Sequence, residues 1–230
     1  MNDLTNRAFI FDMDGTLVDN MQFHTEAWQK MLAENDVEMD AHEFLVKTAG
    51  KTNREILPKV FGELSDERLQ ILSERKESLY RELFLPSRAA VPGAIEFLEK
   101  AEKLGVKMAV ATAAPSANVE FILDGLNLRR FFQAVVTADD VQNGKPNPEI
   151  FLKSAEKLGV LPENCIVFED ALNGFEAAAR AGMKSAAITT VNKRQEVENL
   201  PSVVEVIDDF TNLDPTELIE KHLPLKLKAK

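Results

Sequence analysis

Only one cysteine, Cys165, stands in the 230 residues, which excludes an internal disulfide. Its place in the apolar run CIVFED assigns it a buried, unreactive thiol, as expected in a reducing compartment. Basic charge is also scarce: 27 Lys and Arg against 38 Asp and Glu give a net charge of −11. Such a field disfavours nucleic acid and anionic membrane as partners. An anionic substrate must then be drawn in locally, by a metal ion or a few placed cations. No window approaches the roughly 18 uninterrupted apolar residues of a membrane helix. The opening MNDLTNRAFIFD lacks the basic stretch, apolar run and cleavage site of a signal peptide, so a cytoplasmic location is expected. The final LPLKLKAK reads as a solvated, frayed end, and there are no internal repeats or low-complexity segments.

What is present is the 45% apolar, 28% charged balance of a globular chain. Short apolar runs at 7–11, 106–111, 134–137, 165–168, 185–189 and 203–207 show little alternation, the pattern of strands buried on both faces of a parallel sheet. Amphipathic helices are expected between them at 93–104, 116–126, 148–158 and 172–181, with Gly105, Gly159 and Gly182 closing three of them. Alternating strand and helix predicts a doubly wound, Rossmann-like α/β sheet. Residues 20–86 break the rhythm with helical patterns at 22–34, about 40–47, 53–61 and 66–84. The expected division is an α/β core of 1–17 and 88–230 with a helical unit, 18–87, inserted after the first strand. A hinge at 16–20 and 86–91 would set that unit over the first strand's end.

Ligands of open parallel sheets bind beyond the carboxyl ends of the strands. The residues leaving those ends are Asp12 and Asp14 in FDMDGT, Thr112 after the second strand, Lys145 after the third, and Glu169 with Asp170 after the fourth. Carboxylate oxygens suit Mg²⁺, and a hydroxyl with an amine suits a phosphoryl group. Paired acids as a mere helix cap or solvated face are the bland alternative.

FDMDGTLVDN, AVATAAPS, NGKPNPEIF and IVFEDALNG, in that order, resemble the four motifs of the haloacid dehalogenase superfamily. The helical insertion is similar to the cap of its β-phosphoglucomutase-like branch. The resemblance implies that Asp12 is the nucleophile and that Asp14 is the general acid and base, its carbonyl also touching the metal. It implies a Mg²⁺ held by Asp12, Asp14, Glu169 and Asp170, and a phosphoryl group held by Thr112, Ala113 and Lys145. Asn173 is taken as structural.

Dehalogenation and phosphonate cleavage are disfavoured because Asp14 and the acidic pair Glu169 and Asp170 are all present. A non-catalytic metabolite-binding regulator would be expected to have lost one of these groups. His24 in FHTEAW and Lys76 in RKESLY resemble the cap histidine and lysine of β-phosphoglucomutases, which favours a sugar phosphomutase. Against it, the arginine those enzymes carry three residues after the cap glycine is Asn53 here, with Arg54 one further, and Asn20 replaces a threonine. One residue turns a helical side chain by roughly 100°, although Lys51 or Arg54 could still reach a phosphate. The expectation is a monomeric Mg²⁺-dependent phosphatase of a small phosphorylated metabolite, a sugar phosphate first, with mutase and inorganic pyrophosphatase as alternatives.

Overall fold

In the computed structural model, residues 4, 6–38, 40, 44 and 51–223 are described. The helix expected at 40–47, apart from Asp40 and Phe44, lies outside them, as do Gly50 and the end of the chain after Leu223. Six parallel strands form one sheet: β1 (Ala8–Phe11), β2 (Lys107–Ala111), β3 (Ala134–Val136), β4 (Cys165–Glu169), β5 (Lys184–Ile188) and β6 (Val203–Ile207). Their order is β3-β2-β1-β4-β5-β6, so β2 and β3 build outward on one side of β1 and, after the crossover from β3, β4 to β6 build outward on the other. That reversal opens a crevice at the carboxyl end of β1.

Both faces are covered, which is why the strand sequences do not alternate in polarity. Phe9, Phe11, Met108, Val110, Ile166 and Phe168 point to one side, where Phe97 of α4 (Ala94–Lys103) and Leu218 of α8 (Pro215–His222) meet them. Phe11 stacks on Phe168 at 4.6 Å between ring centroids, and burying each such ring contributes about 2 kcal/mol. Smaller residues, Ala8, Ile10, Ala109 and Val167, face α6 (Glu149–Leu158) and α7 (Leu172–Arg180) on the other side. Cys165 belongs to this second core; burial pushes its thiol up to about 12, in keeping with an inert side chain. Gly105, Gly159 and Gly182 follow the ends of α4, α6 and α7 with positive φ, as expected of helix-closing glycines.

The insertion holds α1 (Met21–Ala33), α2 (Asn53–Phe61) and α3 (Asp66–Phe84). Thr52 and Glu55 open α2, the Glu55 carboxylate accepting from the Thr52 amide at 2.8 Å, and Ser65 Oγ accepts from Arg68 N at 3.2 Å to open α3. The outgoing and returning linkers touch where Val91 N donates to Leu17 O at 2.9 Å. One expected helix departs from regularity. Residues 116–126 form a short α5 (Ser116–Val119) that continues as a π-type turn over Glu120–Asp124. There Arg88, on the returning linker, donates to the Phe121 and Gly125 carbonyls at 2.8 and 3.2 Å.

Candidate active site

Sheet register sets the catalytic level. Phe11 is paired with both Val110 and Phe168, and Asp12 N donates to Phe168 O at 2.9 Å, so Asp12, Thr112 and Glu169 emerge together. Asp12, Glu169 and Asp170 are buried, with oxygens within 4.8 Å of one another. Lys145 enters from the loop after β3 and spans two of them, its Nζ lying 2.6 Å from Asp12 Oδ1 and 2.8 Å from Glu169 Oε2. Glu169 Oε1 accepts from the Ala171 amide at 3.1 Å, which holds the other end of that carboxylate.

Three carboxylates around one ammonium leave an excess of negative charge. Burial, against the pull of Lys145 and with the push of Glu169, raises Asp12 to about 8. Burial and the two neighbouring carboxylates likewise raise Asp170 far above the ordinary range. Lys145 is lifted above its usual value because Asp12 and Glu169 outweigh its own burial, so it stays charged. A divalent cation among these oxygens removes the conflict, and all-oxygen donors are the chemistry of Mg²⁺ or Ca²⁺.

The backbone is shaped around the carboxylates. Gly15 has φ +79°, and a Cβ there would lie 2.1 Å from Asp170 Oδ2; a Cβ on Gly174 would lie 2.1 Å from Glu169 Cδ. Gly174→Ala is therefore expected to push Glu169 off Lys145 and lower kcat/KM by about 100-fold, as ångström-scale misplacement of catalytic groups does. Steady-state kinetics alongside a thermal melt checks this: the expected result is that loss of activity in a protein that still melts cooperatively, at a midpoint lowered by the displaced ion pair.

Asp14 sits at the mouth and is held by the insertion. Asn20 Nδ2 donates to Asp14 Oδ1 and to Tyr80 Oη, both at 2.6 Å, while its Oδ1 accepts from Gly15 N at 3.1 Å. The His24 ring lies flat on Tyr80, with centroids 3.8 Å apart. Lys76 Nζ is 2.7 Å from His24 Nδ1. An ammonium only donates, so Nδ1 accepts and the proton of the neutral ring sits on Nε2. That Nε2 is buried without a hydrogen bond and stands 3.5 Å from Asp14 Oδ1, within ionic reach but not hydrogen-bonded to it.

Behind Lys76 is Glu77. Burial works to raise its pKa, but the Lys76 ammonium, with the hydrogen bond from the Asn53 amide, overrides it and holds the carboxyl at about 2. Its Oε1 accepts from Lys76 Nζ at 2.9 Å and Asn53 Nδ2 at 2.7 Å, and its Oε2 from Asn118 Nδ2 at 2.6 Å.

A cavity of about 430 Å³ joins these two halves. The core residues Asp12, Asp14, Thr112, Ala113, Lys145, Glu169 and Asp170 all line it, and so do His24, Lys51, Arg54 and Lys76 from the insertion. Thr112 Oγ1 accepts from Ala114 N at 3.0 Å, and Asn173 reaches back to the Lys145 carbonyl at 3.5 Å. Arg54 is at the rim, its side chain 73% exposed and 3.7 Å from Asp66. Sequence reasoning passed over Glu77 and Asn118, and noted Asn20 and Asn53 only as departures. A signal for part of this existed: Leu72, Lys76 and Tyr80 recur at four-residue spacing on one face of α3, placing a charge within an otherwise buried stripe.

A strand-end carboxylate cluster with a bridging lysine, roofed by inserted helices, is the arrangement of a phosphohydrolase, and relatives agree. The chain is 35% identical over 183 residues to the fructose-1-phosphate phosphatase YqaB of Escherichia coli, covering 79% of this chain and 95% of that protein. It is 35% identical over 178 residues to a phosphorylated carbohydrates phosphatase of Thermotoga maritima, covering 77% and 82%. Among solved structures, a β-phosphoglucomutase from Clostridium difficile superposes with a TM-score of 0.82 at 29% identity, covering 94% of this chain and 97% of that one. A family model described as haloacid dehalogenase-like hydrolase matches residues 6–182. The chain belongs to this family and is one of its phosphatases.

Proposed function

We propose that this chain is a Mg²⁺-dependent phosphatase of a small phosphorylated carbohydrate, working through an aspartyl phosphate on Asp12, with residues 18–87 as cap over a core of 1–17 and 88–230. The observation that carries hydrolysis over mutation is the state of two cap cations. Lys76 is held by Glu77 and His24, and Arg54 lies mostly in solvent beside Asp66. A mutase must grip a second phosphate on the cap while the first sits in the core, whereas a phosphatase needs no such grip. The named activities of the relatives from Escherichia coli and Thermotoga maritima support a carbohydrate leaving group. The Lys76–His24 pair and the likeness to the β-phosphoglucomutase structure from Clostridium difficile favour the mutase reading.

Asp12 attacks phosphorus while the bond to the leaving oxygen breaks. Lys145, Thr112 and the Ala113 amide hold the phosphoryl oxygens as charge shifts onto them. Asp14 gives its proton to the leaving oxygen, then takes one from the water that attacks phosphorus and frees Asp12. Asp12, Glu169 and Asp170, with the Asp14 carbonyl, would hold Mg²⁺, which when bound supplies positive charge to the phosphoryl group and its nucleophile. Asn20 keeps Asp14 aimed into the cavity, and the inserted helices keep bulk water from the site.

Phosphate release from fructose 1-phosphate, other sugar phosphates and pyrophosphate, with and without a chelator, tests this. Mg²⁺-dependent release from sugar phosphates, lost on chelation and restored by Mg²⁺, is expected. Release that ignores the chelator, or that is confined to pyrophosphate, would overturn the reading.

A further inference from the structure

Asn118 is fully buried on α5, the first helix after β2, and so belongs to the sheet's side of the cavity. Its partners do not. Its Nδ2 donates to Glu77 Oε2 at 2.6 Å and its Oδ1 accepts from Arg81 Nη1 at 2.9 Å, two residues one turn apart on the inserted α3. Glu77 then accepts from Asn53 of α2 and from Lys76, and Lys76 donates to His24 of α1, whose Nε2 faces Asp14. A polar chain thus starts on α5 beside the sheet, runs through Glu77 and Lys76 of α3 with a branch to Asn53 of α2, and ends at His24 of α1, whose Nε2 stands 3.5 Å from the acid–base residue Asp14 without a hydrogen bond to it.

A buried carboxylate and ammonium of this kind are tolerated only while they are paired and hydrogen-bonded, so Glu77, Lys76, Asn53 and Asn118 hold one another in place. Apolar contacts of Tyr80 and Phe84 with Phe121 also dock α3 on the core, but such contacts are non-directional. The hydrogen bonds at Asn118 supply direction.

We propose that Asn118 is a positioning residue: by binding Glu77 and Arg81 together it fixes the inserted helices in the pose that sets Lys76 and His24 against Asp14. This rests on the phosphatase reading above. It implies that Asn118 matters in proportion to how much the leaving group needs a proton. A sugar alkoxide needs one as the bond breaks; p-nitrophenolate leaves without one.

The test is kcat/KM of Asn118→Ala against the parent on fructose 1-phosphate and on p-nitrophenyl phosphate, at saturating Mg²⁺. A fall of about 30-fold for the sugar ester, mostly in kcat, with less than about threefold for the aryl ester is expected, part of the 10²–10⁴ that proton transfer contributes. Equal losses on both esters would mark a merely structural residue and overturn the proposal, as would no loss on either. Should Asn118→Ala lack a cooperative melt, Arg81→Met removes the other half of the tie from a partly exposed position, and the same ratio decides. A parent inactive on both esters would sink the phosphatase reading itself, a failure visible before any variant is made.

Discussion

Asp12→Asn is expected to lower kcat/KM by about 10⁴-fold or more, the scale on which removing a covalent nucleophile acts, while leaving the metal-free protein at least as stable as the parent. The two halves have one cause. Asp12 is the carboxylate aimed at the phosphoryl group, and it is buried among Glu169 and Asp170 with Lys145 as its counter-charge. Its folded pKa, about 8, lies above the ordinary carboxylate value of about 4. Between those two values the folded state holds more protons than the unfolded one, so metal-free stability declines as pH rises from about 4 to about 8. Asparagine carries no titrating charge and flattens that decline. Urea denaturation in chelator across this pH range, beside kinetics in Mg²⁺, checks both halves. An inactive variant that is also much less stable at pH 8 would mean that Asp12 serves the fold.

Lys145→Ala carries the second large effect and acts on stability and chemistry together. The lysine is buried between Asp12 and Glu169, and removing one partner of a buried ion pair costs about 3–5 kcal/mol because the remaining charges lose their compensation. Phosphoryl oxygens also lose a fixed cation, worth about 10²–10³-fold in kcat. The distinguishing outcome is the response to Mg²⁺: the variant's denaturation midpoint is expected to rise more than the parent's on adding the ion, since the bare carboxylates attract it more strongly. Equal shifts in both proteins would place Lys145 and the cation at separate sites.

The core half of this site was legible because strand ends are dictated by local pattern. Each buried run stops at a polar residue, and a doubly wound sheet gathers those stops at one edge. The stops at Asp12, Thr112 and Glu169, with Asp170 beside the last, are therefore legible from pattern, and Lys145 from the NGKP stretch in the loop after β3. The cap half resisted for a physical reason. Asn53 and Asn118 lie on two other helices, 24 and 41 residues from Glu77 along the chain, and only packing brings the three together. The short helix that carries Asn118 loosens into a π-type turn whose Phe121 carbonyl accepts from Arg88, some thirty residues away along the chain. No periodicity encodes such a contact. Asn20 illustrates the boundary: its sequence position marked it as a departure from β-phosphoglucomutases, and only the geometry gives it Asp14, Gly15 and Tyr80 as partners.

Whether Asp12 hands its phosphoryl group to water or back to a sugar is tested most directly by following β-glucose 1-phosphate and fructose 1-phosphate by ³¹P NMR with Mg²⁺ and a glucose 1,6-bisphosphate primer. Growth of the inorganic phosphate signal, faster from the better sugar ester and unaffected by the primer, is the predicted result. Conversion of β-glucose 1-phosphate to glucose 6-phosphate that outpaces phosphate release and depends on the primer would contradict it.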